Sequence, residues 1–352
     1  MLRNMHLDVH VHGDGSFDIS RQDGVRLARV MSLEFETDRG DCYTAGPRGR
    51  ARKAVGPVRW RTLAGGPLLG AVEGCWQEQD ATIRLLLELR DAEAFLRIRL
   101  DIDNAGTNRR IRARIPVRQA PYALAGAAFG FERRRRPTEQ HWAGEATVMT
   151  APAQRFVSAA GAEGGAALLA PGHIEYELGA DGDLSFTVLR SVGELSLGNL
   201  PERPGHAAWP TPVPGAQCLG TSSCSLALMP CAAEQADDPV LLTRVWEEAF
   251  LAPLATWYRG RSAGVPSAGR IELTGHGLVV SAIKPASEGP GLILRALNLS
   301  EQAVEGSWRV APRPGEAWRV RADETRTAQL SVTDAGIPFR VGPRELVSIE
   351  VI

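Results

Sequence analysis

The sequence predicts a mainly β protein of sandwich architecture, with one convincing helix and a small separate sandwich at its C-terminal end. Three observations carry this. Short runs rich in β-branched and apolar residues recur along the whole chain, bounded by Gly, Pro, Asn and Asp clusters. Helical periodicity is confined to one stretch, residues 238–258. Regular strand–helix alternation, the mark of a parallel sheet, does not occur.

Taken in order, LDVHVHGDGSFDI at 7–19 reads as a strand, a Gly-Asp-Gly turn and a second strand, and residues 25–35 continue with short apolar alternation. Asp38-Arg39-Gly40-Asp41-Cys42-Tyr43 is a polar turn, and a basic, Gly-containing loop is expected after it, through Lys53. Residues 58–63 and 68–76 are strands around Gly65-Gly66-Pro67, and 82–89 with 94–102 form a hairpin across Arg90-Asp91-Ala92-Glu93. Residues 110–115 alternate strictly, with Arg110, Arg112 and Arg114 on one face and Ile111, Ala113 and Ile115 on the other. That pattern fits a sheet with one wet face, or a groove lined by arginines. Arg133 to Arg136 read as a solvated loop.

Residues 184–189 (LSFTVL) are a β-rich run, preceded by a turn in which Gly182 takes φ > 0. Residues 222–228 (SSCSLAL) alternate as a half-buried strand does. Between them, 190–214 hold too much Gly and Pro for regular structure, and so long a loop inside a β domain is usually functional or disordered. The helix starts at Asp238, an N-cap residue, with Pro239 in the first helical position and Val240, Leu241, Val245, Trp246, Ala249 and Phe250 at helical spacing. Residues 260–269 are a link, and from Arg270 the chain returns to β. The expected division is a large β domain at 1–235, a linking helix at 236–260 and a small β-sandwich at 261–352.

The chain has 352 residues and a net charge of −1, which offers no steering toward nucleic acid or anionic membrane. No apolar run reaches bilayer length, and MLRNMHLDVHVH has no apolar signal core, so a soluble, cytoplasmic protein is the expectation. Cys42, Cys75, Cys218, Cys224 and Cys231 are odd in number, which argues against a disulfide framework, and Cys224 alternates with Leu226 and Leu228 as a buried free thiol would.

Asp8, His10 and His12 project from one strand face, a spacing that can serve a metal, although further ligands from an α/β barrel have no visible source. Solvent-facing imidazoles on an edge strand are the commoner outcome. Glu175 and Glu177 share a face, as do paired acids in glycoside hydrolysis, but same-face acids on a solvated strand are far more frequent. There is no nucleophile elbow, P-loop or dinucleotide fingerprint.

An ordered series of landmarks resembles the C-terminal half of glycoside hydrolase family 38 α-mannosidases. LRSVGELS at 189–196, WPTPVPGAQCLG at 209–220 and the alternating strand ending at Pro230 carry it first. The turn at 38–43 looks like that family's Asp-x-Gly-Asp-x-Tyr, Gly66-Pro67-Leu68 like its strand entry, and Asn108 to Arg112 like its "HRLR" strand, with Asn108 and Arg109 departing. Phe129-Gly130-Phe131, Trp142, WEEAFLAPL at 246–254, and the strands 277–284 and 292–298 extend the series over nearly the whole chain.

The resemblance implies a large antiparallel supersandwich, galactose-mutarotase-like, followed by the linking helix and a small β-sandwich. It implies that zinc and the aspartate nucleophile belong to a catalytic α/β barrel that nothing in these residues matches. This chain is then expected to hold no cofactor or catalytic residue of its own and to act as scaffold and cleft wall for an α-mannoside. Tyr43, Asp41 and Arg190 are the substrate-binding residues it implies. Its partners would be carbohydrate and the barrel, in the same or a separate chain, and an apolar face left by the barrel would favour a homo-oligomer. The alternative is a free-standing mutarotase-like sugar binder or aldose epimerase, which needs an acid–base pair such as His173 with Glu175, or His206. A third reading is a metal hydrolase using Asp8, His10 and His12.

Overall fold

The computed structural model describes residues 1–138, 141–142, 144–251 and 269–352, and it is mainly β. Two compact units are present, one of Met1–Gly126 with Glu132–Asp238, the other of Ala127–Phe131 with Pro239–Ile352.

The first unit begins with a four-stranded antiparallel sheet: β1 (Leu2–Arg3), β2 (Leu7–Val11), β3 (Phe17–Arg21) and β4 (Arg26–Val30). The chain then enters β5 (Ser32–Asp38), β6 (Pro47–Lys53), β7 (Arg59–Gly65), β8 (Leu69–Glu78), β9 (Ala81–Arg90), β10 (Leu96–Asn104) and β11 (Arg109–Ile115). There follow β12 (Ala123–Ala127), β13 (Gly130–Arg134), β14 (His141–Trp142), β15 (Glu145–Ala146), β16 (Thr150–Gly161), β17 (Gly164–Leu178), β18 (Leu184–Ser191) and β19 (Gly220–Cys231). All but the small β14–β15 pair belong to one 13-stranded sheet with the order β6-β5-β11-β18-β17-β19-β10-β9-β8-β7, extended by β12, β13 and β16.

Alternation decides which residues meet between the sheets. In β9 every second residue is buried (Ala81, Ile83, Leu85, Leu87, Leu89), and Leu96, Ile98, Leu100 and Ile102 of β10 do the same. They share one core with Leu7, Val9, Phe17 and Ile19 of the four-stranded sheet, which makes the unit a sandwich. The expected hairpin across residues 90–93 is in register, with Arg97 opposite Glu88 and Ile102 opposite Ile83. Gly182 has φ +77°, as its turn requires.

After the short α1 (Ala233–Ala236), the second unit contains α2 (Pro239–Phe250), with Leu242, Thr243, Val245 and Ala249 buried. The expected helix ran to residue 258, and its part beyond 251 lies outside the described residues. Strands β20 (Arg270–Thr274), β21 (Leu278–Pro285), β22 (Leu292–Asn298), β23 (Val304–Ala311), β24 (Ala317–Val320), β25 (Arg326–Leu330), β26 (Ile337–Val341) and β27 (Leu346–Val351) follow. They form sheets ordered β20-β23-β26 and β21-β22-β27-β24-β25, and Leu294, Trp308, Phe339 and Ile349 join both in one core.

Three expectations change. The basic loop after the turn is strand β6, which occupies an edge of the large sheet and therefore shows no apolar alternation. The arginine run at 133–136 begins within strand β13, and Arg133 forks onto Asp237 at 2.9 and 3.0 Å. The face carrying Arg110 and Arg112 is buried, and its charges are matched from neighbouring strands. Arg110 meets Glu36 at 2.7 Å, Arg112 meets Glu177 at 2.9 Å, and Arg114 meets Asp183 at 2.7 Å. That face is an internal ion-pair ladder, so the arginine groove is not formed there.

Candidate functional site

The turn after β5 and the long loop after β18 are built onto each other. The first step is local. Asp38, at the end of β5, accepts hydrogen bonds at Oδ1 from the amides of Gly40 (2.8 Å) and Gly46 (2.9 Å). Asp41 Oδ1 accepts from Tyr43 N (2.9 Å) and Thr44 N (2.8 Å). Short acidic side chains bonding backbone amides two or three residues on are what fold a polar turn. The two glycines are needed for close approach: a Cβ on Gly40 would stand 2.0 Å from Thr44 O, and one on Gly46 2.7 Å from Gly40 N.

The second step is long-range. Arg190, at the end of β18, donates from Nε to Asp38 Oδ2 at 2.7 Å and from Nη2 to the carbonyls of Asp41 (2.7 Å) and Thr44 (3.0 Å). Arg203, from the middle of the loop, donates from Nη2 to Asp41 Oδ2 (2.7 Å) and to Leu197 O (2.8 Å), and from Nη1 to Thr44 Oγ1 (2.6 Å). Leu197 N completes the Asp41 carboxylate at 2.7 Å, and Cys42 N donates to Glu194 O at 3.2 Å. Two buried aspartates and two guanidiniums thus clasp the loop onto the turn.

Electrostatics follow from that geometry. Burial alone would raise the Asp41 carboxyl, but the hydrogen bonds from Arg203 and from the Leu197, Thr44 and Tyr43 amides outweigh it and bring the group down to about 2. Asp38 is lowered for the same kind of reason: burial opposes, and Arg190 with the Gly46 and Gly40 amides prevails.

The clasp decides where the expected site residues lie. Asp41 is fully buried and Arg190 is largely covered, both with their polar atoms directed at protein groups. Tyr43, between the two arginine anchors, is 59% exposed, and Trp209 on the loop is 87% exposed. Trp209 is held near the same segment, since the amides of Ala207 and Ala208 donate to Ser196 Oγ at 3.0 and 3.1 Å. The exposed phenol offers a donor and an acceptor to a ligand hydroxyl, and the indole offers a flat apolar face. Sequence reasoning brought Asp41, Tyr43 and Arg190 into one group but missed Arg203. Its only signal was a lone basic residue between Glu202 and Pro204.

The other expected constellations are placed as follows. His10 and His12 lie on one face with ring centroids 5.2 Å apart, but His12 Nε2–H donates to Asp18 at 2.8 Å and Asp8 pairs with Arg3 at 2.9 Å. Among the described residues, no group of three or more His, Cys, Asp or Glu is arranged to hold a metal ion. Glu175 accepts from Thr187 Oγ1 at 2.6 Å, which separates its role from that of Glu177 on Arg112. His173 lines a cavity of about 310 Å³ together with Thr187, Ser223 and Cys224, whereas His206 packs over Gly198. Burial raises the thiols of Cys224 and Cys231, to about 11 and about 12.

Comparison with known proteins places this fold. A protein of glycosyl hydrolase family 38 from Enterococcus faecalis superposes with a TM-score of 0.79 at 16% identity, over 99% of this chain and 43% of its own. An α-mannosidase from Enterococcus faecalis V583 does so with a TM-score of 0.78 at 17% identity, over 100% of this chain and 42% of its own. A protein of Halalkalibacterium halodurans named "Putative mannosylglycerate hydrolase" is 30% identical over 233 residues, which is 63% of this chain and 23% of that protein. No family model matches the sequence. The fold is therefore a mainly β supersandwich shared with part of the two larger Enterococcus chains, and this chain spans less than half the length of each relative.

Proposed function

We propose that this chain is the non-catalytic β part of an α-mannosidase-type glycoside hydrolase and forms one wall of its sugar cleft. The observation that carries the reading is the fold match over essentially the whole chain to less than half of two larger glycosyl hydrolase chains. Sequence similarity over 233 residues to the protein named "Putative mannosylglycerate hydrolase" supports a mannoside as the substrate class. In this reading the nucleophile and the zinc belong to an α/β barrel outside these 352 residues. Tyr43 contacts a sugar hydroxyl at the rim, and Asp41 and Arg190 act through it by holding the turn that presents it. Trp209 adds a second exposed aromatic on the loop clasped to that turn.

The test is to purify the chain alone and together with an α/β-barrel polypeptide encoded ahead of or beside it, and to assay both on an aryl α-mannoside. The chain alone should give no turnover with or without added zinc, and no acceleration of sugar anomer exchange by polarimetry. The pair should turn over, and Tyr43→Phe should reduce kcat/KM on the order of tenfold, the loss of one substrate hydrogen bond. Turnover by the isolated chain, or a pair indifferent to Tyr43→Phe, contradicts the proposal.

A further inference from the structure

Strand β17 changes neighbours along its length. It pairs with β19 over residues 165–169 and with β18 over residues 176–178. The sequence makes the break. Ala170, Pro171 and Gly172 stand opposite the single residue Arg155 of β16, which has φ +67°. Proline offers no N–H to a ladder, and a bulge bends the strand that carries it. Residues 170–175 of β17 are therefore laddered to neither β18 nor β19. The cavity of about 310 Å³ lies at this break and is lined from all three strands.

The lining sorts by depth. Ala170, Ile174, Phe186 and Leu226 are apolar and buried, whereas His173, Ser223 and Ser225 are polar and exposed. No Lys, Arg, Asp or Glu lines it. An apolar floor under an uncharged polar rim suits a neutral molecule with an apolar body and one polar end. The strand edges add a second sign. Thr187 and Val188 of β18 and residues 223–226 of β19 border the cavity where β17 gives them no ladder partner. Backbone N–H and C=O groups on such an edge call for partners from outside the sheet. Thr187 Oγ1 donates its hydrogen to Glu175 at 2.6 Å, so toward a ligand that oxygen acts as an acceptor.

We propose that this cavity binds a small uncharged aromatic molecule that carries one hydroxyl or ring N–H donor. Its volume of about 310 Å³ is roughly twice that of an apolar cavity that takes benzene, so two fused rings fit. The rings rest on Ile174, Phe186 and Leu226, and the donor meets Thr187 Oγ1 or a free carbonyl at the strand edge. A bare sugar fits this floor poorly, because hydroxyls around its ring would lose water against apolar side chains without gaining partners. A carboxylate fits poorly as well, since no cationic side chain of Lys or Arg lines the cavity to receive it.

Calorimetric titration of the 352-residue chain with 2-naphthol, naphthalene-2-carboxylate and mannose tests it. Naphthol should bind saturably and at least about tenfold tighter than the carboxylate of the same ring system, and mannose should show no comparable binding. Val188→Phe fills a half-buried lining position without adding charge and should weaken naphthol on the order of tenfold or more while circular dichroism stays unchanged. Cys224→Leu, on the facing strand, should weaken it in the same direction. Unsaturable naphthol binding, equal affinity for naphthol and the carboxylate, or tighter binding of mannose overturns the proposal. So does a folded Val188→Phe variant that binds like the parent. The ligand series on the parent chain decides even where a variant does not fold. None of these readouts involves mannosidase turnover, so this proposal and the cleft-wall reading can fail separately.

Discussion

Replacing Arg203 by Leu probes the clasp most directly. Asp41 is fully buried and Arg203 is 7% exposed, so the substitution leaves a buried carboxylate without its cation. Removing one partner of such a pair costs about 3–5 kcal/mol. Asp41 would keep the amides of Tyr43, Thr44 and Leu197 at 2.9, 2.8 and 2.7 Å, which places the expected loss near the low end, about 3 kcal/mol. The pH dependence has a definite sign. The folded carboxyl, at about 2, lies below its ordinary value of 3.8, so its contribution is fully present above 3.8 and is lost as the pH falls toward 2. Without Arg203 the carboxyl rises toward its ordinary value. The gap between parent and variant should therefore be widest at neutral pH and narrow on acidification from about 4 to about 2. Equilibrium urea unfolding at pH 7 and pH 3 measures this through the midpoint at constant slope. A loss under about 1 kcal/mol at neutral pH, or one that does not change with pH, refutes the view that the Arg203–Asp41 pair holds the loop.

Other consequences follow from the same geometry. Gly40→Ala forces a Cβ to within 2.0 Å of the Thr44 carbonyl, a backbone atom that cannot swing aside, and should cost at least about 2 kcal/mol in the same unfolding assay. Tyr43→Phe removes an exposed hydroxyl and should leave stability within about 0.5 kcal/mol, so any change in sugar turnover is not a folding effect. Native protein treated with a thiol reagent at pH 8 should react at exposed Cys42, while Cys231, fully buried and raised to about 12 by burial, should react only after denaturation. Mass-spectrometric mapping of the modified thiols checks the order.

Local patterning determined a good deal about this protein. The alternation in residues 82–102 and 184–189 set strands and their inward faces, because a period of two can be satisfied in only one way against a core. Gly182 marked its turn, and Pro239 marked the start of α2. The order of landmarks along the chain pointed to a supersandwich, which the superposition with two larger hydrolases bears out. It also brought Asp41, Tyr43 and Arg190 into one group. What the sequence could not show were arrangements that depend on partners far along the chain. Strand β6 read as a loop because an edge strand exposed along most of its length has no apolar period to betray it. Arg110, Arg112 and Arg114 read as a wet face because the acids that neutralise them come from β5, β17 and the turn before β18. Arg203 carried no signal, since its acceptor Asp41 lies 162 residues away. Only folding brings that carboxylate, its three amides and the guanidinium together, and it leaves Asp41 fully buried and Tyr43, two residues on, 59% exposed.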